Sequence, residues 1–367
     1  MRQLDKSSNA MPVFPSEELT GTNVLVTGGT GSFGQAFIRQ VLASGAPNRL
    51  IVFSRDEQKQ FDMQSDLSAK AFPCLRYFIG DVRDRDRLQM AMRGVDYVIH
   101  AAALKHVPAA EYNPFECIQT NVHGAENVVR AALDTGVKKV LALSTDKAAN
   151  PVNLYGASKL AADKIFVAAN HLSGRDGPQF AIVRYGNVLG SRGSVVPFFR
   201  RLLQQGAKSL PVTDPSMSRF TLVLDEGVQF VLSSLAMMKG GEIFVPKIPS
   251  VRLGVLVAAL APGVPVEHVG VRPGEKLHEV LITEDEARTT VDLGDRYVVE
   301  PAIHLYNYTS LTEAGYSKVP AGFCYRSDTN DKWLDEAAAR TLLKQEGYLP
   351  ASAVEERAGR TQWQGAG

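Results

Sequence analysis

The sequence predicts a doubly wound α/β fold, in which helices cover both faces of a mainly parallel sheet. Three observations predict it. Short aliphatic strands alternate with helical segments through the first half of the chain, as βαβ units require. A glycine-rich turn follows the first of these strands directly. After residue 186 the alternation gives way to pieces separated by proline and glycine, which predicts a second, smaller lobe.

Each predicted strand is a short aliphatic or aromatic run that ends in a polar or small-residue turn. The strands are predicted at residues 23–27, 50–53, 76–79, 97–100, 140–143, 180–185 and 243–245. Helices are predicted at 35–43, 115–135, 197–205, 227–238 and 335–345. We therefore predict four parts: a flexible arm at 1–18, a cofactor-binding domain at 19–190 to which later segments return, a mainly substrate-binding lobe at 191–350, and a mobile tail at 351–367.

Composition disfavours several classes of function. The net charge of the 367 residues is +1, so no global field attracts nucleic acid or an anionic membrane. The longest apolar runs, such as residues 253–262, are too short to span a bilayer, and residues 1–16 lack the pattern of a signal peptide. The three cysteines are odd in number and lack metal-ligand spacing. We predict a cytoplasmic protein that contacts neither membrane nor nucleic acid and holds no metal.

A dinucleotide-binding turn is predicted directly after the first strand. Gly28, Gly31 and Gly34 are spaced three apart between that strand and the following helix. The first glycine permits a tight turn, the second lets the backbone approach a pyrophosphate, and the third lets the helix pack on the strand. The helix N-terminus then offers free N–H groups to the phosphates. This is a Rossmann-type cofactor site, completed in the same turn by Thr30, Ser32 and Phe33.

The residues after the second strand favour NADP over NAD. An acidic side chain here would bind a ribose 2′-hydroxyl, whereas an arginine would bind a 2′-phosphate. Ser54 and Arg55 come first, and Lys59 follows closely, although Asp56 leaves NAD as the alternative. Further cofactor contacts are predicted where the next two strands end, at Asp81, Val82, Ala101 and Ala102.

The densest group of reactive side chains follows the fifth strand. Tyr155 and Lys159 are four residues apart in a helix-compatible segment, so they share one face. A free tyrosine has a pKa of about 10, and an adjacent ammonium, with a cationic nicotinamide nearby, lowers it toward the working range. This pair predicts a base for oxidising a carbinol. Asp146 and Lys147 add an acid and a base that a simple dehydrogenase does not need, unless they form only a surface ion pair.

Longer windows narrow the prediction to one family. The glycine turn with Tyr155 and Lys159 resembles the extended short-chain dehydrogenase/reductase superfamily. Residues 100–111, 144–159, 184–199 and 270–279 closely resemble the inverting UDP-N-acetylglucosamine 4,6-dehydratases of pseudaminic acid biosynthesis, within a resemblance that covers residues 19–301. Retaining relatives carry methionine at the position of Tyr155, so this residue favours the inverting branch.

The resemblance implies a substrate, a product and a division of labour. UDP-N-acetylglucosamine would become a 6-deoxy-4-keto sugar with inverted C5. Tyr155 would take the C4 hydroxyl proton, Lys147 would remove the C5 proton, and a protonated Asp146 would donate to the departing C6 hydroxyl. Thr145 would orient substrate or cofactor. The group that returns a proton to C5 stays open between Tyr155 and Lys147. The resemblance also implies a homo-oligomer, for which the helix at 115–135 is a candidate face.

Several residues of the resembling windows are predicted to contact the nucleotide sugar, and Lys105 is predicted to contact the nicotinamide as well. They are Lys105, Asn187, Val195, Arg219, Arg272 and Glu275. An arginine suits bidentate phosphate binding, but each charged residue could equally form an ion pair within its own loop. Alternative functions are a nucleotide-sugar 4-epimerase, a retaining 4,6-dehydratase and, from another class, a non-catalytic NADP-binding scaffold.

Overall fold

The protein, in a computed structural model, is described at residues 19–45, 47–303 and 308–349. The predicted arm at 1–18 and the predicted tail at 351–367 lie outside these ranges. Two compact units make up the chain. The larger unit comprises Met1–Gly186, Leu224–Lys247 and Val280–Tyr325, and the smaller comprises Asn187–Val223, Ile248–Glu279 and Arg326–Gly367.

The strands of the described residues, in chain order, are β1 (Asn23–Thr27), β2 (Arg49–Ser54), β3 (Leu75–Ile79), β4 (Tyr97–His100), β5 (Lys139–Thr145), β6 (Gln179–Tyr185), β7 (Asn187–Val188), β8 (Leu210–Val212), β9 (Ser218–Leu222), β10 (Ile243–Pro246), β11 (Ser250–Arg252), β12 (Val266–His268), β13 (Val280–Ile282), β14 (Thr290–Asp292), β15 (Arg296–Val299), β16 (Ser317–Lys318) and β17 (Tyr325–Arg326).

The α-helices are α1 (Ser32–Ser44), α2 (Glu57–Asp66), α3 (Arg85–Ala91), α4 (Val107–Tyr112), α5 (Pro114–Ile118), α6 (Gly124–Thr135), α7 (Leu154–Ser173), α8 (Val195–Gln204), α9 (Leu224–Met237), α10 (Leu253–Leu260) and α11 (Glu336–Gln345). A π-helical segment covers Gln119–His123, and 3₁₀ turns cover Asp146–Ala148 and Glu286–Thr289. Among the described residues, no helix is long and apolar enough to cross a membrane.

A single large sheet organises the larger unit, in the strand order β16-β14-β15-β10-β6-β5-β4-β1-β2-β3. The strands from β10 to β3 all pair in parallel, whereas β15, β14 and β16 join antiparallel at one edge. The inner strands are buried nearly throughout, which explains why the sequence shows continuous aliphatic runs instead of alternation. The predicted mainly parallel, doubly wound sheet is confirmed.

The strand order reverses between β1 and β4, and ligands of such sheets bind where the strands flanking this switch end. The loops after the two strands come very close together here. A Cβ atom built on Gly28 would lie 2.8 Å from the backbone nitrogen of Ala102. The topology thus brings the glycine turn and the small residues after β4 to one place.

The helix predicted at 115–135 is not one regular helix, and the prediction was wrong in this respect. The structure divides it into α5, a π-helical segment and α6. The π segment contains Asn121, whose buried side chain bonds the backbone N–H and C=O of Leu104 at 2.8 and 2.9 Å and the Ser158 hydroxyl at 2.9 Å. Such bulges in helices are common at functional sites.

The smaller unit has its own hydrophobic core. Three short strands pair in the order β11-β9-β7, and β12 pairs with β8. Side chains from α8, α10 and α11 pack together with them, including the buried Phe199, Leu256 and Leu343. This unit therefore provides an independent platform for the loops that it carries.

Candidate active site

A buried acid–base pair stands at the carboxyl end of β5. The 3₁₀ turn Asp146–Ala148 begins directly after Thr145, and the Lys147 Nζ donates to Asp146 Oδ1 at 2.9 Å. The Asp146 side chain is 0% exposed and that of Lys147 is 25% exposed. These two residues do pair, but Asp146 is fully enclosed, so the contact is not the surface ion pair of the alternative interpretation.

The two carboxylate oxygens of Asp146 have different surroundings. Oδ1 accepts hydrogen bonds from Lys147 and, at 2.9 Å, from the Thr145 hydroxyl. Oδ2 is buried and has no hydrogen-bond partner among the described residues. A buried polar oxygen without a partner is costly, and this one is therefore available to a hydroxyl of a bound substrate.

The start of α7 fixes the second pair of reactive residues. Asn153 caps the helix by accepting from the Gly156 backbone N–H at 2.8 Å. A Cβ atom at Gly156 would collide with the backbone oxygen of Lys147, so glycine lets the 3₁₀ turn lie directly against the helix. The turn with Asp146 and Lys147 is thereby placed beside the first turn of α7, which carries Tyr155.

Tyr155 is 9% exposed, and burial raises its pKa to about 12. The charge of Lys147 and a hydrogen bond with Thr145 act in the opposite direction and favour the phenolate. The positive charge of a bound oxidised nicotinamide would add to them. The site thus holds a tyrosine whose ionisation depends on the cations around it.

Lys159 lies one turn further along α7 and is almost fully buried. Its Nζ donates to the backbone oxygen of Leu143, on β5, at 2.7 Å. Burial lowers the pKa of Lys159, and the charge of Asp163 counteracts this. The structure therefore brings Thr145, Asp146, Lys147, Tyr155 and Lys159 together around the end of β5, as the sequence predicts.

The glycine turn has the shape that a dinucleotide requires. Gly28 has a φ of +66°, and Gly31 is the N-cap of α1. A Cβ atom at Gly34 would lie 2.6 Å from the backbone oxygen of Gly28, so no side chain fits there. The turn therefore presents side-chain-free backbone at the N-terminus of α1, where a pyrophosphate can come close, which fits a nicotinamide dinucleotide.

The other residues of the predicted turn support its conformation. The Thr30 hydroxyl lies 2.8 Å from that of Ser54, which ties the turn to the end of β2. Phe33 stacks on Phe37 of the same helix, with 6.0 Å between the ring centroids, and Ser32 is the first residue of α1. Thr30 and Ser54 are thus brought together, while the Phe33 ring packs on its own helix.

The charged residues after β2 form two pairs. Asp56 caps α2 by accepting from the Lys59 backbone N–H at 3.0 Å, and its carboxylate also pairs with the Lys59 ammonium. Arg55 is half-exposed and lies 3.6 Å from Asp81. Asp81 is itself bonded by Arg83 at 2.8 Å. Asp56 therefore has a structural role in its own helix, and Arg55 is the less constrained of the two.

The residues predicted after β3 and β4 reach the same sheet edge. Val82 is buried, and Ala101 and Ala102 form the small-residue loop beside Gly28. Lys105 follows in this loop, where partial burial and the charge of Lys147 lower its pKa. The influence of Lys147 places Lys105 near the acid–base pair.

The smaller unit contains a cleft that three of the predicted substrate residues line: Asn187, Val195 and Arg219. The Asn187 Oδ1 and the Ser194 hydroxyl, both of the cleft lining, are buried without a hydrogen-bond partner among the described residues. Apolar walls with a few unsatisfied polar groups are typical of a small-molecule site.

Arg272 and Glu275 do not line this cleft, and Arg219 differs from its expected role. Arg272 is 56% exposed and lies 3.7 Å from Glu275. The Arg219 guanidinium donates instead to the backbone oxygens of Ser218, Lys276 and Leu277 at 2.8, 2.9 and 3.0 Å. Two of these bonds hold Arg219 to Lys276 and Leu277, which leaves the Arg272 guanidinium as the more accessible of the two.

Four buried residues of the site were not singled out as functional by the sequence interpretation: His100, Asn121, Asp163 and Arg184. His100 lies 2.8 Å from the Thr27 hydroxyl, and burial together with the charge of Lys159 lowers its pKa to about 3. Asp163 had a detectable signal, since it follows Lys159 by one helical turn and so shares its face. The other three are polar residues within predicted elements, and their partners are remote in sequence.

Comparisons with known proteins show which family this chain resembles. A family model described as polysaccharide biosynthesis protein matches residues 24–301. A UDP-N-acetylglucosamine 4,6-dehydratase (inverting) from Campylobacter jejuni is 54% identical over 335 residues, which cover 89% of this chain and 99% of that protein. A UDP-glucose 4-epimerase from Rickettsia canadensis is 42% identical and covers 89% of this chain and 96% of its own.

Solved structures share the fold. Pen from Bacillus thuringiensis has 37% identity and a TM-score of 0.82, covering 90% of this chain and 99% of its own. DesIV from Streptomyces venezuelae, a dTDP-glucose 4,6-dehydratase solved with NAD, has 28% identity and a TM-score of 0.62, covering 70% and 87%. The family match spans most of this sequence, and the dehydratase relative matches along nearly its full length. The chain therefore belongs to the polysaccharide biosynthesis protein family, in its branch of inverting UDP-N-acetylglucosamine 4,6-dehydratases.

Proposed function

We propose that this protein converts UDP-N-acetylglucosamine into the 6-deoxy-4-keto sugar with inverted C5, using NADP, as the first step of pseudaminic acid biosynthesis. The observation that carries the proposal is the Asp146–Lys147 pair beside Tyr155 and Lys159. A hydro-lyase of this kind needs one base for the C4 hydroxyl, a second for the C5 proton and an acid for the departing oxygen. The four side chains supply all three.

The Asp146–Lys147 contact allows both groups to become active together. A base must be a neutral amine, and an acid must be a protonated carboxyl. Shifting one proton from Lys147 Nζ to Asp146 Oδ1, across 2.9 Å, produces both without exchange with solvent. Lys147 can then take the C5 proton, and Asp146 can give its proton to the C6 hydroxyl as water leaves. The donated proton comes from Oδ1, while the buried Oδ2, which has no partner among the described residues, can accept a hydrogen bond from a substrate hydroxyl.

Tyr155 acts at the other end of the sugar. As a phenolate, stabilised by the charge of Lys147, it accepts the proton of the C4 hydroxyl. We assign Lys159, one turn away on α7, as a second cation that stabilises this phenolate. The resulting C4 ketone acidifies the C5 proton and so makes removal by Lys147 feasible. A nicotinamide dinucleotide held at the turn from Gly28 to Gly34 would supply the hydride acceptor that oxidation at C4 needs and the hydride donor that reduction at C6 needs. Thr145 holds Asp146 and Tyr155 in place through its hydroxyl.

The arrangement after β2 supports NADP. Asp56, the residue that would bind a ribose 2′-hydroxyl, is engaged in capping α2 and pairing with Lys59. Arg55 is half-exposed with a 3.6 Å partner, so its guanidinium can turn to a 2′-phosphate. The residues of the pyrophosphate cradle would be the backbone groups from Gly28 to Gly34. Equilibrium binding of NADP and NAD to the nucleotide-free protein tests this choice, and tighter NAD binding would overturn it.

We also propose a nucleotide-binding role for the cleft of the smaller unit, a homo-oligomer and a cytoplasmic location. The cleft of the smaller unit, with Asn187 and its apolar walls, suits part of a nucleoside diphosphate, and Arg272 is the candidate phosphate ligand. We include a homo-oligomer because Phe115, the first residue of the candidate face at 115–135, is 83% exposed, and Tyr112, just before this face, is 88% exposed. A cytoplasmic location is consistent with the free thiols of Cys74, Cys117 and Cys324.

A nucleotide-sugar 4-epimerase is the second candidate, because the Rickettsia relative carries that name. Both reactions begin with Tyr155, but an epimerase has no use for a C5 base. Proton NMR of the protein with UDP-N-acetylglucosamine in deuterated water separates them. A new C6 methyl signal, deuterium at C5 and couplings of the inverted centre are expected. A methyl signal with retained C5 would change the branch, and conversion to the C4 epimer alone would replace the dehydratase with the epimerase.

A further inference from the structure

A buried polar network continues from Lys159 into the core of the larger unit. Asp163, 2% exposed, accepts from the Ser144 hydroxyl at 2.8 Å and lies 3.5 Å from Arg184 Nη2. Arg184, 1% exposed, bonds both carboxylate oxygens of Glu286 at 2.9 and 3.0 Å. The mechanism above does not use Asp163, Arg184 or Glu286.

Side chains on one face of α7 connect this network to the end of β5. Lys159 bonds Leu143, Asp163 bonds Ser144, and Tyr155 is hydrogen-bonded with Thr145. One face of α7 therefore contacts the last three residues of β5. In the sheet, Ser144 pairs with Arg184 of β6, which puts the arginine behind the same strand end. Asp163 therefore lies between two cations. One is Lys159, which the proposed mechanism pairs with Tyr155, and the other is Arg184, which Glu286 holds in place.

We propose that Asp163 is a positioning residue, whose anchored carboxylate keeps the Lys159 ammonium charged and aligned for Tyr155. A buried ammonium that only a backbone carbonyl contacts tends to lose its proton, because burial penalises the charged form. A neutral Lys159 would no longer stabilise the phenolate. Since this role presupposes that Tyr155 and Lys159 carry the first oxidation, it rests on the proposed function.

The other groups around Lys159 do not replace Asp163. The elements packed against α7 carry several other ionisable groups: Glu111 and Tyr112 on α4, Glu116 and Cys117 on α5, His123 on the π-helical segment, Glu126, Arg130 and Asp134 on α6, Lys139 on β5, Asp146 and Lys147 on the 3₁₀ turn, and Arg184 and Tyr185 on β6. His100 of β4 also lies against α7, through the ring of Phe166. His100 is kept neutral by burial and by the Lys159 charge itself. Asp146 is already paired with Lys147. Asp163 is the carboxylate whose charge acts on Lys159.

The direct test is an NMR titration of isotope-labelled lysines in the full-length protein, with Lys159→Arg used to assign the signal. In Asp163→Asn, which keeps a hydrogen-bond acceptor for Ser144, the titration of Lys159 should move down by about one pH unit or more. Asp163→Glu retains the charge and should restore the wild-type titration. Glu242→Gln is the matched control, because it neutralises another buried carboxylate of the same unit, bonded to the backbone of Lys239 and Gly240. An unchanged Lys159 titration in a folded Asp163→Asn protein would overturn the proposal.

The pH profile of kcat/KM with UDP-N-acetylglucosamine gives a second, kinetic readout. If Asp163 acts through Lys159, the acid limb of the pH profile of Asp163→Asn moves to higher pH, because a neutral Lys159 no longer stabilises the Tyr155 phenolate. If Asp163 acts only as a nearby negative charge on Tyr155, the limb moves to lower pH. An acid limb that does not move, together with a lower Tm, indicates a merely structural residue. Either this result or a shift to lower pH contradicts the proposal. Should the wild type fail to convert this sugar, the proposed function fails, while the lysine titration still decides the role of Asp163.

Discussion

The end of β5 in the larger unit and the 270–279 loop in the smaller unit present charged residues in opposite ways. At the end of β5, Asp146 is completely buried, and Tyr155 and Lys159 are 9% and 4% exposed, each with its own partner. In the loop, Arg272 is 56% exposed and its carboxylate partner is 3.7 Å away. The groups assigned to the chemistry are held before substrate arrives, whereas Arg272, which is assigned to phosphate binding, is still solvated.

This difference predicts different kinetic consequences. A preorganised group contributes where charge develops, in the transition state, so its loss lowers kcat. A solvated group that contacts an unreactive phosphate binds substrate and transition state equally, so its loss raises KM. The comparison therefore assigns kcat effects to the larger unit and KM effects to the smaller unit.

The largest effect is expected from removing a reacting group at the end of β5. Lys147→Ala or Tyr155→Phe should lower kcat by about 10²–10⁴-fold, the usual contribution of a general acid or base. Steady-state kinetics with UDP-N-acetylglucosamine measures this, and thermal unfolding should show that the proteins remain folded. Lys164→Ala is the control, because this lysine is exposed on the same helix as Tyr155. Near-full turnover by either variant would remove that residue from the mechanism.

The next effect tests the exposed arginine. Arg272→Ala should raise KM by about 10-fold or more with kcat nearly unchanged, since a charge-assisted hydrogen bond to a phosphate is worth roughly 1.5–3 kcal/mol. Arg288→Ala is a matched control, because it also removes an exposed arginine whose acidic partner is three residues away, at 3.8 Å. If Arg272→Ala lowers kcat and leaves KM alone, the proposed contrast between the two regions is wrong.

Sequence reasoning went furthest where the backbone alone decides the structure. The parallel strands, the glycine turn and the clustering of Asp146, Lys147, Tyr155 and Lys159 follow from local pattern and from the rule that parallel strand ends meet. The partners of these groups could not be derived, because they come from distant positions. Arg184 meets Glu286 across 102 positions, and no periodicity links the two. Arg219 was assigned to phosphate, yet its donors bond the backbone oxygens of Ser218, Lys276 and Leu277, and only the fold brings the last two near.

A smaller effect concerns the cofactor turn, which resembles the β5 end in its rigidity. Gly34→Ala places a Cβ 2.6 Å from the Gly28 backbone oxygen, and backbone cannot move aside as a flexible side chain can. We expect a loss of about 1–3 kcal/mol in the free energy of unfolding, together with weaker NADP binding. In Gly31→Ala the corresponding contact is 3.1 Å, so a milder loss is expected. Equal stability of all three proteins in chemical denaturation would show that the turn relaxes freely.

The last effect, which is smallest near neutral pH and grows in acid, comes from His100, the buried neutral histidine beside Lys159. Its pKa of about 3 in the folded protein lies below the ordinary 6.5, so the unfolded chain binds a proton between these values and the folded protein does not. Stability is therefore retained above pH 6.5 and lost as the pH falls below it, at a rate approaching about 1.4 kcal/mol per pH unit. Unfolding free energies of wild type and His100→Asn, measured across this range, should show a shallower pH dependence in the variant. His123→Gln removes a histidine that is half exposed and should follow the wild type. If the free energy of unfolding depends on pH equally in wild type and His100→Asn, His100 accepts a proton inside the fold. A charged histidine would then lie beside the Lys159 ammonium, which contradicts the electrostatics described for the end of β5.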